Sequence, residues 1–174
     1  LHTQELIYEG HKPMHVCPRC QTPLSNFEVT QGYKDIQDYS VTAMFELEEG
    51  STSSPKIQNP KSKIQTFVLA WTTTGWTLPG NLFLAVHPET LYVTVKNEGK
   101  NYIVAKELVE KVFTKKEYVI EKEQIGKDLV GLTYKPLFPY YAEAYQEKAF
   151  RIVAGDFVTT TDGSGIVHIA PAFG

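Results

Sequence analysis

No apolar run in this chain of 174 residues approaches the roughly 20 residues a membrane span needs, and mean hydropathy is -0.25. A membrane-spanning helix is therefore excluded. Cysteine is scarce, with only Cys17 and Cys20. That excludes the disulfide framework of a small secreted domain. No secretory signal opens the chain. Positive charge is not in excess: 17 basic against 20 acidic side chains give a net charge of -3. A general electrostatic grip on nucleic acid is thereby excluded, although a few local phosphate contacts are not. Internal repeats and low-complexity segments are absent, which argues against a solenoid or a disordered tail. What is present is a globular composition, 42% hydrophobic, with 10 Tyr and 9 Phe to fill a core. The chain starts at Leu1 without an initiator Met and stops at Gly174 straight after an apolar stretch. The expectation is a piece of a larger protein, cytoplasmic and monomeric.

Charge is uneven. Residues 1–50 carry three basic and eight acidic side chains, while residues 51–100 carry five Lys against Glu89 and Glu98. Two domains are expected: residues 1–49, an N-terminal ribbon with a knuckle, and residues 50–174, the body. Residues 40–47 alternate as a half-buried strand does and are placed in the first segment. Residues 48–62, rich in Ser, Pro, Asn and Gly, read as a surface loop. Strands are expected over residues 64–71, 82–86, 91–95, 101–104, 118–120, 150–153, 157–160 and 166–169. Asn97-Glu98-Gly99-Lys100 makes the turn of a hairpin. Residues 106–113 have helical spacing, with Leu108, Val109 and Val112 on one face. Many short strands and one clear helix give an α+β domain, mostly β, with a barrel-like sheet.

Three strings carry chemistry. Trp71-Thr72-Thr73-Thr74-Gly75-Trp76-Thr77-Leu78-Pro79-Gly80-Asn81 directly follows a buried strand. Three threonines at a strand end present hydroxyls in alternating directions, and two glycines allow close backbone approach. Taken alone, the triple Thr reads more simply as a β-branched strand entering a turn. The second string, Asp162-Gly163-Ser164-Gly165-Ile166-Val167-His168-Ile169-Ala170-Pro171, is a Gly-rich turn launching a strand with one His. If Val167 and Ile169 face the core, His168 faces a cleft or solvent; a structural, hydrogen-bonded His is the commoner case. No Ser-His-Asp or Cys-His pairing is legible, and Ser164 does not sit in a hydrolase elbow. The third is Cys17-Pro18-Arg19-Cys20, half of a four-ligand zinc site. His11 and His15 lie near in sequence, but the missing ligands are expected outside this chain. No βαβ pattern surrounds the pair, which disfavours a redox role.

Together these strings resemble the editing domain, the connective-polypeptide insertion, of isoleucyl-tRNA synthetase. Tyr8-Glu9-Gly10-His11-Lys12-Pro13 and Cys17-Pro18-Arg19-Cys20-Gln21-Thr22-Pro23-Leu24-Ser25 look like the entry into that insertion. Residues 72–81 look like its threonine-rich motif, and residues 156–174 look like the motif that closes its pocket. The anchors occur in family order along nearly the whole chain. Thr74-Gly75-Trp76 favours the isoleucyl branch over valyl and leucyl relatives. The family usually has Pro where this chain has Gly75, and its closing motif runs on into an acidic stretch not present here. The ATP-binding signatures of amino-acid activation are also missing.

The resemblance implies an aminoacyl-tRNA deacylase that removes valine from the 3′ end of tRNA(Ile) and excludes isoleucine by size. One methylene is worth only about 1–3 kcal/mol, so a single pocket cannot reject valine strongly and a second sieve is needed. By resemblance, Thr72, Thr73 and Thr74 bind the terminal adenosine and ester and help place a water. Trp76 walls the side-chain pocket and Trp71 joins it on the substrate side. Asn81 holds the loop or the substrate, and His168 contacts the amino acid and helps exclude isoleucine. An ester is activated enough that positioning and electrostatics suffice without a covalent nucleophile. No cofactor is expected for hydrolysis, and Cys17 and Cys20 are expected to hold structural zinc only with ligands from the parent synthetase. The competing expectation is a non-catalytic zinc-ribbon β-module that docks tRNA or protein.

Overall fold

The computed structural model describes residues 2–4, 6–10, 14–48, 64–114, 116–145 and 147–173. The loop expected over residues 48–62 lies almost wholly outside them, as does His11. Contacts divide the chain into two units, Leu1–Asp38 and Tyr39–Gly174. The division comes earlier than the expected 49/50 boundary. The strand expected in the N-terminal segment, β1 (Val41–Glu46), pairs along its length with β2 (Thr66–Thr72) and buries Ala43 and Phe45. Its apolar face thus belongs to the body's core.

In the smaller unit, residues 17–20 turn tightly. The Gln21 amide donates to the Cys17 carbonyl at 2.8 Å, and the Cys17 amide to the Thr22 carbonyl at 3.0 Å. Gln21 takes a positive φ of 59° to close the knuckle. Ser25 then caps α1 (Asn26–Thr30) with a capping box: its hydroxyl accepts from the Glu28 amide while the Glu28 carboxylate takes the Ser25 amide.

The larger unit is mostly β, and its strands form two sheets rather than one closed barrel. The first has the order β1-β2-β5-β4-β6, with β4 at Leu91–Asn97, β5 at Lys100–Ala105 and β6 at Val119–Ile125. Glu98 and Gly99 both have positive φ, 47° and 77°, the twist a tight β4–β5 hairpin requires. β4 alternates in sequence like a half-buried strand. Lying between β5 and β6, it instead buries consecutive residues, Tyr92 through Val95. The second sheet has the order β7-β3-β8, with β3 at Phe83–Val86, β7 at Arg151–Ala154 and β8 at Ile166–Ile169. Central β3 runs parallel to β7 and antiparallel to β8, and Leu84 lies opposite His168. Phe45, Val68, Leu84, Tyr92, Tyr134 and Ile152 are among the fully buried side chains of one shared core.

The helix over residues 106–113 begins as a 3-10 turn, Lys106–Leu108, before α2 (Val109–Val112). Leu108, Val109 and Phe113 are its buried side chains. The strand expected over residues 157–160 does not form. The Val158 amide bonds back to the Gly155 carbonyl at 3.2 Å, and Phe157 folds over Gly155. The segment is a turn because Gly155 lets the aromatic ring lie against bare backbone. Beyond it, Gly165 (φ 71°) sits where a Cβ would come within 2.4 Å of Ala105 Cβ. The Ala105 amide donates to the Ser164 carbonyl at 3.0 Å. This close approach seats the start of β8 against the end of β5.

Candidate functional site

β2 ends at Thr72, and the chain passes through Thr73 and Thr74 into a 3-10 helix, Gly75–Gly80. Asn81 closes that helix and β3 follows. The three threonines differ in environment. Thr72 is buried, and its hydroxyl accepts from the Thr74 amide at 3.0 Å and lies 3.1 Å from Thr74 Oγ1. Thr73 and Thr74 are exposed. Thr72 therefore shapes the turn, while Thr73 and Thr74 stand exposed beyond it.

Thr77, inside the 3-10 helix, is buried. Both its amide (3.0 Å) and its hydroxyl (2.8 Å) donate to the Thr74 carbonyl. With its single proton spent there, Thr77 Oγ1 accepts from His168 Nε2, 2.8 Å away. Asn81 is 5% exposed. Its Nδ2 donates to the Phe83 carbonyl at 2.9 Å and points at His168 Nδ1 at 3.5 Å. Its Oδ1 accepts from the Tyr134 hydroxyl at 2.8 Å. The Phe83 carbonyl only accepts and the Tyr134 hydroxyl is placed on the oxygen, so the two bonds together set which end of the amide carries the hydrogens. The bonds together assign His168 as the neutral Nε2–H tautomer. Burial pulls its imidazole below the usual range, and the Asn81 amide hydrogens facing Nδ1 also disfavour a proton there.

A continuous polar chain thus runs Thr72–Thr74–Thr77–His168–Asn81–Tyr134. It brings together Thr72, Thr74, Asn81 and His168, which the sequence singled out, and adds Thr77 and Tyr134, which it did not. Ile166 is buried on β8 while Val167 is exposed. The alternation is therefore the reverse of the expected one, and His168 shares the inward side with Ile166. Neither ring nitrogen of His168 is left free to act as a general base without breaking one of its bonds.

The two Trp residues part company. Trp71 packs beneath Gly163, where a Cβ would lie 2.9 Å from the indole. Trp76 is 69% exposed and lies outside the polar chain. Beside the helix, Gly80 lies under the Phe173 ring, with 2.8 Å from a built Cβ to Cε2. Phe173 itself is largely exposed.

Cys17 and Cys20 are adjacent free thiols. Hydrogen bonds from the Thr22 hydroxyl, 3.0 Å away, and from the Cys17 thiol hold Cys20 below the ordinary thiol range. Two adjacent thiols suit half of a tetrahedral zinc set. Among the described residues, no group of three or more His, Cys, Asp and Glu is placed to hold a metal ion. None of the described helices is long and apolar enough to cross a membrane.

A family model described as tRNA synthetases class I (I, L, M and V) matches residues 1–152. The isoleucine--tRNA ligase of Clostridium tetani (strain Massachusetts / E88) is 47% identical over 174 residues, covering 100% of this chain and 15% of that protein. That of Chlamydia trachomatis serovar D is 44% identical over 177 residues, covering 100% of this chain and 16% of that protein. The chain thus spans about one sixth of the length of these relatives. Among solved structures, GlLeuRS-CP1 is similar with a TM-score of 0.63 at 22% identity, over 77% of this chain and 55% of that one. The editing domain of the P. knowlesi cytosolic leucyl-tRNA synthetase has a TM-score of 0.56 at 15% identity, over 74% of this chain and 55% of that one. In fold the chain resembles these leucyl domains, and in sequence it resembles isoleucine--tRNA ligases.

Proposed function

We propose, from the premise that this chain belongs to the class I tRNA synthetases (I, L, M and V), that it is the editing segment of an isoleucine--tRNA ligase. Its reaction is hydrolysis of the ester joining valine to the 3′ end of tRNA(Ile), with correctly attached isoleucine excluded by size. Attachment of isoleucine and use of ATP belong to the remainder of the parent synthetase.

One observation carries this reading. Thr72, Thr74, Thr77, Asn81 and His168 meet in a single polar chain, beside which Thr73 and Thr74 stand exposed. Such an arrangement suits ester hydrolysis. Thr73 and Thr74 hold the terminal ribose and the attacking water, and fixed hydroxyl dipoles stabilise the oxyanion as water adds to the carbonyl. His168, held neutral on both ring nitrogens, is a wall of the amino-acid side rather than a proton carrier. Trp76 closes that side when the substrate is present. Zinc, held by Cys17 and Cys20 with ligands from the rest of the synthetase, is a structural partner with no step in hydrolysis.

The test is deacylation of Val-tRNA(Ile) and Ile-tRNA(Ile) by this chain and by the full-length synthetase that carries it. The valyl ester should be cleaved much faster than the isoleucyl ester. Equal cleavage of both, or of neither by the full-length protein, would sink the reading in favour of a docking module.

A further inference from the structure

Tyr134 lies far from the threonine motif in sequence, yet its hydroxyl ends the polar chain at Asn81. We propose that Tyr134 is a positioning residue of this site: it holds the Asn81 amide by its oxygen, and the amide in turn keeps His168 in the Nε2–H tautomer that bonds Thr77. This inference rests on the hydrolytic reading above for its consequence, but not for its geometry.

The geometry is specific. Tyr134 is fully buried, with its ring edge-on to Phe45 at 5.1 Å and to Phe150 at 6.3 Å. Its backbone is fixed as well, because its amide donates to the Phe150 carbonyl at 2.9 Å. A ring packed on two sides has one place for its hydroxyl, 2.8 Å from Asn81 Oδ1. The Asn81 amide is thereby held at both ends, by the Tyr134 hydroxyl on oxygen and by the Phe83 carbonyl on nitrogen. The remaining Asn81 N–H has His168 Nδ1 before it. Nδ1 must accept, so Nε2 carries the hydrogen and donates it to Thr77. Thr77 is then free to donate to the Thr74 carbonyl, which sets the turn that presents Thr73 and Thr74. Without the phenol oxygen, Asn81 Oδ1 faces an apolar ring edge and the amide has reason to turn away.

The experiment uses Tyr134→Phe, which keeps the packed ring and removes only the hydroxyl. Nitrogen NMR of 15N-histidine-labelled protein reads the His168 tautomer directly. In the wild type, His168 should show one protonated and one bare ring nitrogen. In Tyr134→Phe the two signals should move toward each other as the tautomers mix. Hydrolysis of Val-tRNA(Ile) should fall on the order of tenfold. Tyr92→Phe is the control, since Tyr92 is an equally buried tyrosine whose hydroxyl bonds Gly165 and His87 instead. It should leave the His168 signals in place. Tyr134→Phe should add nothing further in an Asn81→Ala background, because the two act through one path. Unchanged His168 signals in Tyr134→Phe, or an equal change in Tyr92→Phe, would overturn the proposal. Should the wild-type protein hydrolyse neither ester, the function reading fails, while the nitrogen signals still decide for or against Tyr134.

Discussion

His168 Nε2 lies 2.8 Å from Thr77 Oγ1, joining β8 to the 3-10 helix after β2 across 91 positions of sequence. The bond makes Thr77 the link between the threonine turn and the histidine. Thr77→Val keeps the shape and removes the acceptor, leaving a part-buried N–H unpaired. The expected cost is about 1–3 kcal/mol of stability, measured by urea unfolding. Hydrolysis of Val-tRNA(Ile) should fall on the order of 10²-fold. A variant as stable and as active as the wild type would show that the bond contributes nothing.

Acid should weaken the protein through His168. Burial holds its folded pKa below the ordinary imidazole value of about 6.5, so in acid the unfolded chain binds this proton before the folded one does. Stability from this group is fully present above about pH 6.5 and is lost as pH falls below it, levelling off once the folded pKa is passed. The urea midpoint of the wild type should therefore drop between neutral and mildly acidic pH. In His168→Gln the drop should be smaller. Matching pH profiles for the two proteins would show that His168 titrates as it does in an open chain.

The site was legible in the sequence where its residues are consecutive and illegible where they are not. Residues 72–81 stand out because β-branched residues, two Trp and two Gly crowd one strand end. Tyr134 carries no such mark. It sits in an isolated bridge to Leu47 rather than in a strand, 53 positions from the asparagine it bonds. Thr77 was in view but reads as one more threonine, because its partner lies on another strand. The body's strands were mostly legible as short runs of apolar and β-branched residues bounded by turn residues. The expected strand over residues 157–160 failed because Gly155 gives Phe157 a nearer place to pack. β1 pairs with β2 in the body's sheet, a partnership the sequence does not advertise because the two strands are far from consecutive.

Gly75 is a position where a side chain should help. Its φ is not positive, and a Cβ there would meet Val41 Cγ2 at 3.3 Å. Val41 stands on an edge strand, 41% exposed, and has room to yield by a few tenths of an ångström. Gly75→Ala should therefore stabilise the chain by about 0.4–1 kcal/mol through the lower entropy of the unfolded state. A higher thermal midpoint is the expected readout, and a lower one would mean that Val41 does not give way.

The last prediction concerns the sieve. Isoleucine differs from valine by one methylene, and excluding it demands a wall that does not move. In the proposed reading His168 is that wall, and it is suited to the part because Thr77 holds one ring nitrogen and Asn81 faces the other. His168→Ala in the full-length synthetase removes the ring and, on the proposed reading, opens space on the amino-acid side. The variant should begin to hydrolyse Ile-tRNA(Ile), which the proposed sieve excludes in the wild type, while retaining part of the activity on Val-tRNA(Ile). Because neither ring nitrogen is free to move a proton, the loss on the valyl ester should be modest beside the gain on the isoleucyl one. A variant that lost activity on both esters alike would place His168 in the chemistry. One that kept the full preference for valine would make it structural. Only a changed ratio between the two esters, read in one deacylation assay, fits a histidine that acts by occupying space.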